Sequence, residues 1–156
     1  MHIRLIAVGD RQAKWVDTAV RSYVERLPAD WRFRVDQLPT ARRAKRDGSA
    51  RAVETEGKAI LGRIAGDEQL ILLDERGDEL TSKGLAKRLE AWQADGRDIA
   101  FVIGGPDGVS QACRERAQFV WSLSSLTLPH GLARVLCVEQ LYRGWSISRG
   151  HPYHRE

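Results

Sequence analysis

Cysteine is scarce: the 156 residues hold two, Cys113 and Cys137. Both sit among apolar neighbours and neither belongs to a CxxC pair. That excludes a disulfide framework and points to a chain kept reduced. No apolar run approaches the roughly twenty residues of a membrane span. The opening MHIRLIAVGD is too short for the core of a signal peptide and reads better as a strand. A cytoplasmic location is the expectation these absences leave. There is also no internal repeat, linker or low-complexity stretch, so one domain spanning residues 1–156 is expected. Charge of one sign is not in strong excess, with 25 Lys and Arg against 21 Asp and Glu, a net +4. So mild a basic balance permits an RNA partner without requiring one. What the chain does have is enough apolar residues for one core (42%) and an ordinary charged fraction (29%), which together argue against global disorder.

Strand and helix patterns alternate along the chain. His2 to Val8 is a β-rich run ending at Gly9. Lys14 to Arg26 carries Trp15, Ala19 and Tyr23 at four-residue spacing, the stripe of an amphipathic helix. Trp31 to Leu38 alternates roughly and is closed by Pro39, which suits a strand near a sheet edge. A polar segment, Thr40 to Ala52, precedes a helix from about Val53 to Ala65. Gln69 to Asp74 (QLILLD) is a continuous apolar run, as in a strand covered on both faces. Glu75 to Glu79 reads as a turn. Ser82 is a candidate cap for a helix with Leu85, Leu89 and Trp92 inside and Gly96 as its stop. Asp98 to Ile103 is a second buried strand. Ser110 caps a short helix through Ala117, and Val120 to Leu128 reads as a strand running into a loop. From about Leu132, the positions Val135, Val138, Tyr142 and Trp145 trace one helical face, followed by a polar tail from Ser148. This alternation predicts an α/β fold, a parallel sheet with helices on both faces.

Three features carry chemistry. The first is Gly104-Gly105-Pro106-Asp107-Gly108, placed where a buried strand ends. Ligands of open parallel sheets bind at that edge, and residues without a Cβ permit close approach of a ligand to the backbone. A plain tight turn explains the glycines equally well. Neither GxxxxGK[ST] nor an early GxGxxG occurs, which disfavours an ATPase or an ordinary dinucleotide enzyme. The second feature is Leu123-Ser124-Ser125-Leu126-Thr127-Leu128-Pro129-His130. Leucines alternating with small hydroxyl residues can wrap a flat heteroaromatic ring, although an edge strand is the simpler reading. The third is the ending, Leu141 to Ile147 and then His151-Pro152-Tyr153-His154-Arg155-Glu156. Aromatic groups stack on bases, and Arg or His can meet a phosphate or an oxyanion. As a zinc site the two tail histidines are weak, lacking a nearby carboxylate or cysteine partner. The basic run Arg42 to Arg51 is either a solvated face or a contact for RNA phosphates.

Taken together, the stretches Ile103–Gly108, Leu123–His130 and Glu139–Ser146 and the ending HPYHRE resemble the ribosomal RNA large subunit methyltransferase H family. The likeness extends to Ile6–Gly9 before Trp15, to Leu72–Asp74 and to chain length. Asp107, where the family often has Glu, and Gly131, in place of a second proline, are mild departures. The resemblance implies a SPOUT-type α/β fold with a C-terminal trefoil knot, an exception to the rule of unknotted chains. It implies a homodimer with active sites completed by the partner subunit. It implies S-adenosyl-L-methionine as cofactor and no metal. The substrate would be 23S rRNA, methylated at N3 of a pseudouridine, and the small surface favours the assembled ribosome as the form recognised. Carried over by position, the cofactor contacts are Leu73, Gly104, Gly105, Leu123, Ser124, Ser125, Leu126, Thr127 and Leu128. His151, Tyr153, His154, Arg155 and Arg143 are the candidates to take the N3 proton or steady the resulting oxyanion. Another SPOUT-type RNA methylation, or a non-catalytic ribosome-associated protein, remains the alternative.

Overall fold

The computed structural model describes residues 1–155. Among them, five parallel strands form one sheet in the order β2-β1-β4-β3-β5. They are β1 (Ile3–Val8), β2 (Arg34–Leu38), β3 (Gln69–Glu79), β4 (Ile99–Ile103) and β5 (Phe119–Ser122). The helices are α1 (Lys14–Val24), α2 (Ala50–Leu61), α3 (Ser82–Asp95), α4 (Gln111–Arg116) and α5 (His130–Ser148). Single 3-10 turns occupy Ala29–Trp31 and Pro152–His154. No helix among the described residues is long and apolar enough to cross a membrane.

Strand side chains alternate between faces, and this alternation makes two cores. Leu5, Ala7, Ile71, Leu73, Phe101, Ile103 and Trp121 face α1, α3 and α5, together with Leu85, Leu89, Trp92, Val138 and Leu141. Ile6, Val8, Leu70, Leu72, Ala100 and Val102 face α2 and α4, with Ile60 and Cys113. Each fully buried Leu, Ile or Phe contributes about 1.5–3 kcal/mol, so the central strands β1, β4 and β3 dominate stability. Both cysteines are buried and free, Cys113 in the α2/α4 core and Cys137 in the other. On the α2 side Arg4 is held by two carboxylates, its Nη1 donating to Asp36 at 3.0 Å and its Nε to Glu68 at 2.8 Å.

Several expectations need correction. Glu75 to Glu79 is not a turn: β3 runs to Glu79, and its register with β5 shifts between Leu73 and Asp78. Such a bulge leaves the apolar run through Leu73 in register yet takes residues 74–77 out of the ladder. On α1 the inward stripe is Val16, Val20, Tyr23 and Val24, and Trp15 is 55% exposed. Four-residue spacing alone had put the largest side chain on the wrong face. The cap of α3 is Thr81, whose Oγ1 accepts from the Gly84 N–H at 3.0 Å, one residue before Ser82. Helix α2 starts earlier than Val53, β5 stops at Ser122 instead of continuing toward Leu128, and α5 begins at His130. Ser110 caps α4 as the sequence suggests, accepting from the Cys113 N–H.

At Gly77, inside the bulge, an added Cβ would lie 2.5 Å from the Val120 carbonyl oxygen and 2.9 Å from the Trp121 nitrogen. Backbone cannot yield as a side-chain end can. Gly77→Ala should therefore lower stability by about 1–3 kcal/mol, read from urea denaturation. An unchanged midpoint would show that β3 and β5 can separate there without cost.

Candidate functional site

A cavity of about 350 Å³ opens at the carboxyl ends of β3, β4 and β5. Its floor is Leu73, Ile103 and Trp121; the bulge adds Asp74, Glu75 and Arg76. The turn from Gly104 to Val109 forms one wall, and the segment after β5 forms the other with Leu123, Ser124, Leu126, Thr127 and Leu128. His130 and Ala133, from the first turn of α5, close it. All the residues carried over as cofactor contacts therefore meet at one cavity, except Ser125, which is exposed and does not line it.

The glycines are required for a reason different from the one sequence suggested. A Cβ on Gly105 would lie 2.2 Å from a carboxylate oxygen of Glu56, and one on Gly104 would lie 2.5 Å from Val109 Cγ1 and 2.9 Å from the Gly108 carbonyl oxygen. Their missing side chains make room for the protein itself. The turn is closed by the Gly108 N–H donating to the Gly105 carbonyl at 3.1 Å, and Gly108 has a φ of 86°, suited to glycine. Glu56 is 3% exposed, and no local sequence signal marked it. Its carboxylate meets Arg43 Nη1 at 2.5 Å, while Arg43 Nε reaches Asp107 at 3.1 Å. Chiefly the bond to Glu56, with help from Asp107 and against desolvation, holds the Arg43 guanidinium above its ordinary pKa. The basic run is therefore not uniform: Arg43 is a structural clamp on the glycine turn, whereas Arg42, Lys45, Arg46 and Arg51 are exposed.

The opposite wall is pinned by its own hydroxyls. Ser122 Oγ donates to the Ser124 carbonyl at 2.9 Å, Ser124 Oγ accepts from the Leu126 N–H at 2.9 Å, and Thr127 Oγ1 donates to Glu75 at 3.0 Å. These bonds push Leu126 outward, 72% exposed. Burial works to raise the Asp74 carboxyl, but the Arg76 N–H and the guanidiniums of Arg114 and Arg76 outweigh it and hold the group below its ordinary pKa. Burial, reinforced by Arg134 and opposed by Glu56, lowers His130, so it is a neutral imidazole at neutral pH.

The five tail-side candidates gather elsewhere. Glu139 Oε1 accepts from Arg143 Nη2 at 2.7 Å and from the Tyr153 hydroxyl at 3.0 Å. Burial, then the bonds to Tyr23 and Glu139, raise the Tyr153 phenol, so it stays protonated. The Tyr153 ring packs 4.6 Å from that of Tyr142. Exposed His151 accepts from the Tyr153 N–H at 3.2 Å. His154 Nδ1 is buried without a partner, and Arg155 is exposed. None of the five lines the cavity. His130, at the cavity, and Arg143 are separated by thirteen positions of α5, about 20 Å at 1.5 Å per residue.

A parallel α/β sheet with a cavity at the strand carboxyl ends has that cavity where ligands of such folds gather. Residues 1–154 match the family described as "Predicted SPOUT methyltransferase". Over all 156 residues, and the whole of each relative, the chain is 48% identical to "Ribosomal RNA large subunit methyltransferase H" of Thioalkalivibrio sulfidiphilus and 44% identical to the protein so named in Hahella chejuensis. A solved structure, a probable methylase family protein from Haemophilus influenzae Rd KW20, superposes over 99% of this chain and 70% of its own with a TM-score of 0.55; at 11% identity it bears on the fold alone. The chain belongs to the SPOUT methyltransferase family, and within it to the ribosomal RNA large subunit methyltransferase H group.

Two outcomes follow. Arg43→Ala leaves the buried Glu56 carboxylate without its cation and should cost about 3 kcal/mol; Arg42→Ala, one residue away and exposed, should stay within about 0.5 kcal/mol. Urea denaturation of both variants checks the contrast, and equal losses would contradict it. Asp74, whose folded pKa lies below the unfolded value, adds stability that is complete above about pH 4 and fades as pH falls through the folded value. Asp74→Asn should flatten the acid limb of stability against pH, measured by denaturation at stepped pH; an acid limb as steep as in the parent would assign the effect to other carboxylates.

Proposed function

We propose that this ribosomal RNA methyltransferase transfers a methyl group from S-adenosylmethionine to N3 of a pseudouridine in 23S rRNA, acting on the assembled ribosome in the cytoplasm. The observation that carries the reading is the convergence of the glycine turn, the bulge of β3 and the Leu123–Leu128 segment on one cavity. Its donor set fits the cofactor. Leucine side chains offer apolar faces to a flat ring, while Asp74 and Glu75 offer carboxylates to a cationic group. When bound, the cofactor supplies a methyl already activated on a sulfonium.

The protein's share is alignment. Holding acceptor and donor in line can account for about 7–11 kcal/mol of barrier lowering. The acceptor N3 must lose its proton, and the charge then spreads to the ring oxygens. Of the tail groups, Arg143 and Arg155 are suited to steady that charge, and His151 and His154 to accept the proton. Protonated Tyr153 serves as an anchor on Glu139. None of the set lines the cavity of its own chain, and Arg143 lies about 20 Å along α5 from His130, which favours a homodimer in which the tail of one subunit completes the cavity of the other. Exposed Trp15 and Leu132 supply apolar surface for that contact. The family's C-terminal trefoil knot belongs to the same reading, in the stretch from β4 through α5 whose loops build the cavity.

Labelled methyl transfer to ribosomes and to naked 23S rRNA, followed by digestion to nucleosides, tests the reaction. Label in N3-methylpseudouridine from ribosomes alone is the expected result; label in a ribose or in another base would replace it. Removing residues 151–156 should abolish transfer while sparing cofactor affinity. Mixing that truncated chain with a full-length Leu126→Asp chain should recover part of the activity, since only a shared site pairs an intact cavity with an intact tail. Full activity of the truncated chain alone would eliminate the tail from catalysis.

A further inference from the structure

The stretch between β2 and α2 carries Arg42, Arg43, Lys45 and Arg46, and the fold puts them to different uses. The stretch leaves the edge strand β2 at its carboxyl end, the same end of the parallel sheet at which the cavity opens. It then reaches the turn after β4, two places away in the strand order, where Arg43 Nε meets Asp107 at 3.1 Å. Asp107 lines the cavity. The basic segment is therefore fastened to the cavity rim.

Its path is fixed as well as its attachment. Arg43 Nη1 donates to the Ala41 carbonyl at 2.8 Å, so Arg42 stands on backbone tied at both neighbours. Ala44 and Gly48 pair in an antiparallel bridge, with Gly48 at a φ of 56°, and close a tight turn. Lys45 and Arg46 stand on that turn. Asp47, its one acid, is taken by Arg51 at 3.5 Å. Among the described residues Arg42, Lys45 and Arg46 have no carboxylate partner, and all three are exposed.

Charge at the cavity itself gives these cations a use. Three carboxylates line it, Asp74, Glu75 and Asp107. Asp74 is paired with Arg114 and Arg76, Asp107 with Arg43, and Glu75 accepts from the Thr127 hydroxyl. The one permanent cation among the lining residues, Arg76, is thus already turned to Asp74. The lining offers a polyanion no net attraction, so the charge that draws one in has to stand beside the cavity. We infer that the hairpin at residues 42–48 is a phosphate-binding arm, in which Arg42, Lys45 and Arg46 hold backbone phosphates of the RNA that flank the acceptor base. The inference rests on the reading of RNA as acceptor. Such contacts supply affinity and register without reading sequence. Arg43 acts as a positioning residue, holding the arm at the rim.

The test measures affinity of the full-length protein for naked 23S rRNA and for ribosomes across a salt series, with no methyl donor present. A triple variant, Arg42→Gln with Lys45→Gln and Arg46→Gln, should flatten the slope of log affinity against log salt by about 2–3, three contacts at about 0.7–0.9 each. Its thermal midpoint and its affinity for S-adenosylmethionine should match the parent, since all three side chains are exposed. Arg42→Lys should keep the parental slope, because a phosphate contact of this kind needs the charge alone. A second triple, Arg32→Gln with Arg34→Gln and Arg97→Gln, removes the same charge from exposed positions around the amino ends of β2 and β4 and should leave the slope as it is. Equal flattening in the two triples would overturn the arm in favour of overall charge. So would a hairpin triple that keeps the parental slope on rRNA the parent binds. Flattening on ribosomes with none on naked rRNA would give the hairpin a protein partner and overturn the phosphate assignment. A parent that binds neither acceptor would remove the RNA reading itself, and the arm with it, an outcome distinct from the other three.

Discussion

Glu56 stands where a side chain at position 105 would have to be, and much of the site depends on that substitution of one group for another. Its carboxylate lies against the Gly105 backbone, fills the space above it and binds Arg43, which in turn holds Asp107 on the far side of the turn. Three separate stretches of chain are thus joined at one point: the basic segment, α2 and the turn after β4. The arrangement is all or nothing. An ion pair with its acid so buried has a desolvation cost comparable to its attraction, so its value lies in geometry more than in stability. With the turn fixed from behind, its front face is available to form a cavity wall that does not need to be organised by a ligand.

The opposite wall reaches the same end by different means. Here the bulge in β3 takes residues 74–77 out of the ladder, and hydroxyl bonds of Ser122, Ser124 and Thr127 set the course of the chain after β5. None of these bonds is individually strong, about 0.5–1.5 kcal/mol each. The cavity therefore has one wall held from behind by Glu56, Arg43 and the α2/α4 core and one lighter wall on which the Leu126 side chain is 72% exposed. Preorganisation on one side and lighter support on the other are compatible with the proposed cofactor site.

What the sequence revealed depended on whether a signal was local. The buried strands QLILLD and IAFVI, the Ser110 cap and the Gly96 stop follow from hydrophobicity and capping within a few residues, and each stands where those rules put it. The misplacements share a cause too. Trp15 was placed inward because period alone cannot choose between two neighbouring faces, and Val16 took the core instead. Glu75–Glu79 looked like a turn because a bulged strand has polar residues where alternation would want apolar ones. Glu56 and Arg43 were invisible because their partners are far away in sequence: a charged residue in an amphipathic helix and another in a basic run carry no local mark of burial. The cavity-lining residues were reached through a family likeness, with the glycine turn and the Leu–Ser alternation as its visible part. The reason for the glycines, packing against Glu56 and Val109, needed three dimensions.

Helix α5 is where these threads meet. Its first turn borders the cavity, and its fifth residue is the buried Arg134. Its middle carries Glu139, and its end turns back into a tail whose phenol is locked onto that same Glu139. Nearly every side of it is buried, so the stripe Val138, Tyr142 and Trp145, which does face the core, is one of several packed faces. A helix so enclosed cannot tilt to bring its far end to the cavity without dismantling contacts with both α1 and α3. The roughly 20 Å between His130 and Arg143 is therefore a fixed length of the fold. If both ends act on one substrate, the chain must either hold an acceptor long enough to span them or set the end of one copy against the start of another. The acceptor base and its transferred methyl are far smaller than that span, and the second arrangement is the one that lets both ends touch the same atoms.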